Sequence, residues 1–122
     1  MKILTSYYSK LENIDTTGMV LVRISQTQPD GITEKIYECK ELYPDWKLIR
    51  AYKNGDVDPE EYKQEYSKQL TNKLRQKLLK RFEILCKKDR ADTVVLLCWE
   101  YPMNFCHRQI AGPWLSKDCK EL

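Results

Sequence analysis

Thr93, Val94, Val95, Leu96 and Leu97 follow one another without a polar break, and Cys98 extends the run. Successive side chains of a strand point to opposite faces, so an apolar run without alternation fits a strand covered on both sides, as the strands of parallel sheets are. Chemistry begins where the strand stops. Cys98 and Glu100 leave its carboxyl end, Pro102 turns the chain, and Asn104 is a helix cap that places Cys106, His107 and Arg108 in a first helical turn. In open α/β sheets, ligands bind at the carboxyl ends of strands, and helix amino termini offer free N–H groups to anions. This one stretch directs the chain toward an α/β fold with a site at one edge.

The remaining elements are consistent with it. Residues 2–5 read as a short strand, followed by a loop or short helix around Leu11 and Ile14. Residues 19–25 read as a second strand, apolar until Arg23, and a buried arginine requires an anionic partner near the rim of the core. Pro29, Asp30 and Gly31 mark a loop over residues 26–34. Around Ile36 and Tyr37, a short strand and an irregular segment stand as equal alternatives. Pro44 suits the first turn of a helix that opens within residues 42–46 and runs to about Tyr52, with Trp46, Leu48 and Ile49 toward the core. Asp58-Pro59-Glu60-Glu61 is a strong helix start, and Tyr62, Tyr66, Leu70, Leu74, Leu78, Phe82 and Leu85 then recur at helical spacing. A single helix over that span would be roughly 40 Å long, so a break is expected near Thr71-Asn72. The last helix buries Ile110, Ala111, Trp114 and Leu115, and Pro113 is expected to kink or end it near Ala111-Gly112. The expectation is one α/β domain over residues 1–122, a small, mainly parallel sheet of three or four strands flanked by helices.

Right-handed crossovers send the carboxyl ends of all these strands to one edge. That edge gathers Ser6 and Tyr7 from the first strand, Arg23 and Ser25 from the second, and Cys98, Glu100, Cys106, His107 and Arg108 from the third. Two arginines, hydroxyls and a helix amino terminus make a pocket for a small anionic or phosphorylated ligand, nucleotide-like in kind. Positive potential favours a thiolate at Cys106, and with His107 or Glu100 handling protons the set suits transfer or hydrolysis of an ester, phosphoester or thioester. The structural alternative makes Cys106 a small buried residue, has His107 bracing a turn through a backbone carbonyl, and pairs Glu100 with Arg23 or Arg108. A second functional alternative is a noncatalytic module that holds a phosphorylated ligand or nucleic acid, helped by the basic face of Lys73, Arg75, Lys77, Lys80, Arg81, Lys87 and Lys88.

No metal and no cofactor are expected. Cys98-x7-Cys106-His107 lacks paired Cys-x-x-Cys spacing, an adjacent Cys-His pair seldom ligates one ion through both members, and no phosphate-cradling glycine motif occurs among the 4 glycines. The 5 cysteines are odd in number and irregularly spaced, which argues against a disulfide framework and for a reducing compartment. The amino terminus turns polar too early for a signal peptide and no run is long enough to span a membrane, so a cytoplasmic location is expected. A formal charge of +3 falls short of the clustered excess of a dedicated nucleic-acid binder.

Cys98-x-Glu100 followed by Cys106-His107-Arg108, Ile110 and Leu115 is similar to the signature of the DUF488 family, small α/β proteins of unknown function. The resemblance extends to an amino-terminal strand and to a second strand carrying an arginine, here Val22-Arg23. Many members have an acid before that arginine where this chain has Val22, so a role for an acid there does not carry over. The resemblance implies a compact α/β fold with a pocket and supplies no established reaction.

Overall fold

The computed structural model describes residues 1–99 and 105–122. Among them are five strands, β1 (Lys2–Tyr7), β2 (Met19–Arg23), β3 (Ile36–Glu38), β4 (Thr93–Cys98) and β5 (Lys120–Glu121), paired throughout in parallel in the order β3-β2-β4-β1-β5. β4 is central and every one of its residues is buried, which accounts for its unbroken apolar run. Its register sets Tyr7 against Cys98 on one side and Arg23 against Leu97 on the other, so the three strands finish at one edge, as the sequence implies.

Among the described residues the connections supply four α-helices: α1 (Trp46–Lys53), α2 (Pro59–Ser67), α3 (Asn72–Asp89) and α4 (Arg108–Leu115). Asp45 caps α1 by accepting from the Lys47 N–H at 2.8 Å, so Pro44 precedes the helix instead of starting it. Asp58 and Glu61 form a reciprocal capping box on α2. The expected break falls at Thr71, whose hydroxyl accepts from the Leu74 N–H at 3.1 Å and starts α3 as a separate helix.

One sheet face carries Val20, Val22, Val94, Leu96 and Cys98, covered by Tyr62 and Tyr66 of α2, Leu78 and Phe82 of α3, and Ile110 and Leu115 of α4. The other carries Leu21, Val95 and Leu97, covered by Tyr8 and Leu11 from a 3-10 segment, Tyr8–Asn13. Two details differ from expectation. α4 continues through Pro113 to Leu115, closed by the Ser116 N–H on the Gly112 carbonyl at 3.0 Å. It runs close to the sheet: a Cβ on Gly112 would lie 2.7 Å from both Thr5 Cγ2 and Cys119 Sγ. The fifth strand, β5, is two exposed residues aligned with Leu4 and Thr5 of β1.

Candidate active site

Cys98 ends β4, and the chain re-enters the described residues at Phe105, so Cys106 and His107 stand just before α4 and not inside its first turn. All three side chains are buried, as is Arg108. His107 Nε2 lies 2.6 Å from the Ile24 carbonyl oxygen. A carbonyl only accepts, so Nε2 carries the proton and Nδ1 presents a lone pair. That lone pair is 3.6 Å from Cys106 Sγ. Burial lowers the His107 pKa to about 4; the bond to Ile24 opposes the shift and the nearby Arg108 charge adds to it. His107 is therefore a neutral imidazole at pH 7. The sulfurs of Cys98 and Cys106 are joined as a disulfide, contrary to the expectation drawn from the odd number and irregular spacing of the cysteines, so the thiolate expected at Cys106 requires reduction of this bond.

Arg108 lies behind this group. Its Nε donates to the Glu121 carboxylate at 3.1 and 3.3 Å, Nη1 donates to Cys98 Sγ at 3.5 Å, and the guanidinium lies 5.9 Å from the centre of the Tyr7 ring. Thr5 Oγ1 donates to the same carboxylate at 2.5 Å, so β5 functions as the anchor of a buried cation. Among the described residues, Arg108 Nη2 has no hydrogen-bond partner.

In front of the group opens a cleft of about 410 Å³. It is lined by Pro44, by Trp46, Ile49, Tyr52 and Lys53 of α1, and by Tyr62 and Phe105. Tyr52, Tyr62 and Phe105 pack as a mutual aromatic cluster with centroids 5.3 to 5.6 Å apart. Ser25, Gln26, Thr27 and Trp99 also line it, and the buried Cys98, Cys106 and His107 form its floor. Trp46 and Trp99 are 47% and 46% exposed, uncommon for tryptophan and informative here because both belong to the same cleft. Trp99 is fixed in place: its Nε1 donates to the Thr27 carbonyl at 2.9 Å and its ring meets Tyr8 edge-on at 5.9 Å.

The expected site residues thus separate. Cys98, Cys106, His107 and Arg108 converge, with Tyr7 beneath Arg108, and Ser25 lines the cleft. The Ser25 hydroxyl donates to the Thr27 carbonyl at 2.6 Å and accepts from Tyr8, whose own pKa burial raises to about 12. Ser6 is buried within β1, on the face away from Tyr7, and among the described residues its hydroxyl has no partner. Arg23 alternates to the sheet face opposite Val22 and Cys98 and does not line the cleft. It donates to the carbonyls of Ser25, at 2.9 Å, and Gln26, pairs with Glu38 at 3.5 Å, and lies over the Tyr43 ring at 5.1 Å. Its need for an anion is met by Glu38 on the neighbouring strand. Glu100 and the expected cap Asn104 lie outside the described residues. Of the basic helix face, Arg81 and Lys77 pair with Glu41 and Arg75 donates to the carbonyls of Trp114 and Leu115. Trp46, Tyr52, Trp99 and Phe105 line the cleft although sequence reasoning placed them in the core or passed over them, and Tyr62, buried in the core as expected, lines it as well; only the pairing of α1 and α2 beside the end of β4 brings them together.

Among the described residues, no helix is long and apolar enough to cross a membrane. A family model described as the active DUF488-N3 subclade matches residues 5–118. No curated protein and no solved structure matches the chain.

Proposed function

The chain belongs to the DUF488 family, in the branch described as the active DUF488-N3 subclade, and on that premise we propose that it is a hydrolase or group-transfer enzyme acting on a nucleotide-like ligand. One observation carries the reading: a cleft lined by aromatic rings reaches three buried side chains, Cys98, Cys106 and His107, whose two sulfurs become free thiols when their disulfide is reduced. Flat π-systems stack on exposed tryptophan faces, which favours a nucleobase or a similar ring as the part of the ligand held by Trp46 and Trp99. Lys53, on the cleft wall, supplies a mobile cation for the anionic end. The reacting bond meets the floor, where Arg108 holds positive charge 3.5 Å from Cys98 Sγ and the neutral imidazole offers a lone pair.

This reading shifts the weight of recognition from two arginines to the aromatic walls. Arg108 keeps its place as the buried cation behind Cys98. The test is a titration of the reduced protein with AMP, GMP, CMP and UMP, followed by tryptophan fluorescence, with ribose 5-phosphate and inorganic phosphate as controls. Saturable quenching by nucleotides and not by the controls is expected, together with conversion of at least one nucleotide or its ester on incubation. Saturable binding with no chemical change in any of them favours the noncatalytic module; no binding removes the proposal.

A further inference from the structure

Cys98 Sγ, Cys106 Sγ and a ring nitrogen of His107 lie within 4.8 Å of one another at the cleft floor. We propose that, in the reduced protein, these three side chains ligate one zinc-class divalent cation through both sulfurs and His107 Nδ1, leaving a fourth position open to the cleft. Three protein ligands and an exchangeable position are what catalytic zinc sites have, and two cysteines with one histidine is one of their known donor sets.

The distances fit. With Zn–S about 2.3 Å and Zn–N about 2.05 Å, a tetrahedral ion holds its sulfur and nitrogen ligands about 3.6 Å apart; Cys106 Sγ and His107 Nδ1 are 3.6 Å apart. Two thiolates on the same ion stand about 3.8 Å apart, which calls for wider backbone spacing than a disulfide. The Cα atoms of Cys98 and Cys106 are 7.3 Å apart, beyond the roughly 4.4–6.8 Å usual for a disulfide. The Ile24 carbonyl on Nε2 fixes the tautomer that leaves Nδ1 free, the second-sphere arrangement of metal-binding histidines. Adjacent Cys-His pairs seldom share an ion, but Cys106 and His107 precede α4, and there Sγ and Nδ1 approach to 3.6 Å.

The balance is simple. Two S–H bonds release protons to solvent, two metal–sulfur bonds and one metal–nitrogen bond form, and no electrons are exchanged. Two thiolates cancel the charge of the ion, so the buried Arg108–Glu121 pair remains balanced beside it. A solvent molecule on the open position would face the cleft, where a Lewis-acidic ion suits hydrolysis of the ligand proposed above. The inference rests on that reading for its role, but ion binding is measured without any ligand, and nucleotide binding is measured on zinc-free protein, so the two can fail separately.

The whole chain, reduced with a phosphine and dialysed against zinc, is expected to retain about one ion per chain. Cobalt(II) in its place is expected to give sulfur-to-cobalt charge-transfer absorption with tetrahedral d–d bands, both lost in Cys106→Ser. A second measurement uses wild-type protein only: zinc should slow iodoacetamide labelling of Cys98 and Cys106 at least tenfold and leave half-buried Cys119 unchanged. Reduced wild-type protein that takes up no zinc, or zinc that gives those two cysteines no protection, overturns the proposal.

Discussion

Glu121→Gln is a nearly isosteric change in a two-residue exposed strand, yet it should be among the most damaging substitutions outside the core. Glu121 is the carboxylate facing Arg108 Nε at 3.1 Å, and the Arg108 side chain is 0% exposed. Removing one partner of a buried pair leaves an uncompensated charge and costs about 3–5 kcal/mol. Glu121 itself is 31% exposed, so part of its attraction is already screened, which places the expected loss near the lower figure, about 3 kcal/mol. For a chain of this length that lowers Tm by roughly 10–15 °C. Glu65→Gln is the control: the Glu65–Lys68 pair is closer, at 2.7 Å, but its side chains are 53% and 72% exposed, and about 0.5 kcal/mol is expected. Guanidinium unfolding of the two variants, with Arg108→Met and the Arg108→Met/Glu121→Gln double variant, completes the cycle. The double variant should be more stable than Glu121→Gln alone. If Glu121→Gln and Glu65→Gln unfold within about 0.5 kcal/mol of each other, the buried cation does not depend on β5, and this account of Arg108 fails.

Three further outcomes are expected. His107 is the only histidine, and its pKa falls from 6.5 unfolded to about 4 folded. The unfolded chain therefore binds the extra proton in that window, and the contribution, about 3 kcal/mol in all, is present above pH 6.5 and is lost as pH falls toward 4. Urea midpoints taken down that pH range should decline in wild type and stay flatter in His107→Gln. Gly112→Ala gains about 1 kcal/mol of helix propensity but drives a methyl to 2.7 Å from Thr5 and Cys119, so a net loss of about 1–2 kcal/mol is expected in thermal melts, partly relieved by Thr5→Ser. Trp99→Ala should weaken AMP binding by about 1–3 kcal/mol, roughly 5- to 150-fold, in equilibrium dialysis with no matching loss of Tm.

What the sequence made legible follows from burial. β4 announces itself because both faces are covered, and the α2 and α3 stripes because each turns a row of large side chains to the sheet. That the long stripe must break could be inferred from its length, and Thr71, whose side chain caps α3, marks the place. β5 carries no such signal: Lys120 and Glu121 are exposed, and what marks the pair is the Glu121 carboxylate meeting Arg108 of the preceding helix, which no local pattern announces. α4 passes through Pro113 because its place is set by close packing of Gly112 on Thr5 as well as by its own hydrogen bonds. Within the candidate site, Cys98, Cys106, His107 and Arg108 could be grouped because they flank one strand end. The cleft wall could not, since Trp46 and Tyr52 fall on a helix whose spacing reads as core and only the tertiary position of α1 beside α2 turns them toward an opening. Arg23 and Arg108 share a sheet edge, as expected, but alternation along β2 puts Arg23 on the opposite face.

A crystal structure of the reduced protein soaked with zinc and AMP tests the central claim most directly. The account expects the base against Trp99 or Trp46 inside the cleft and an ion on Cys98, Cys106 and His107. Nucleotide density confined to another surface, with the cleft holding only solvent, would contradict it.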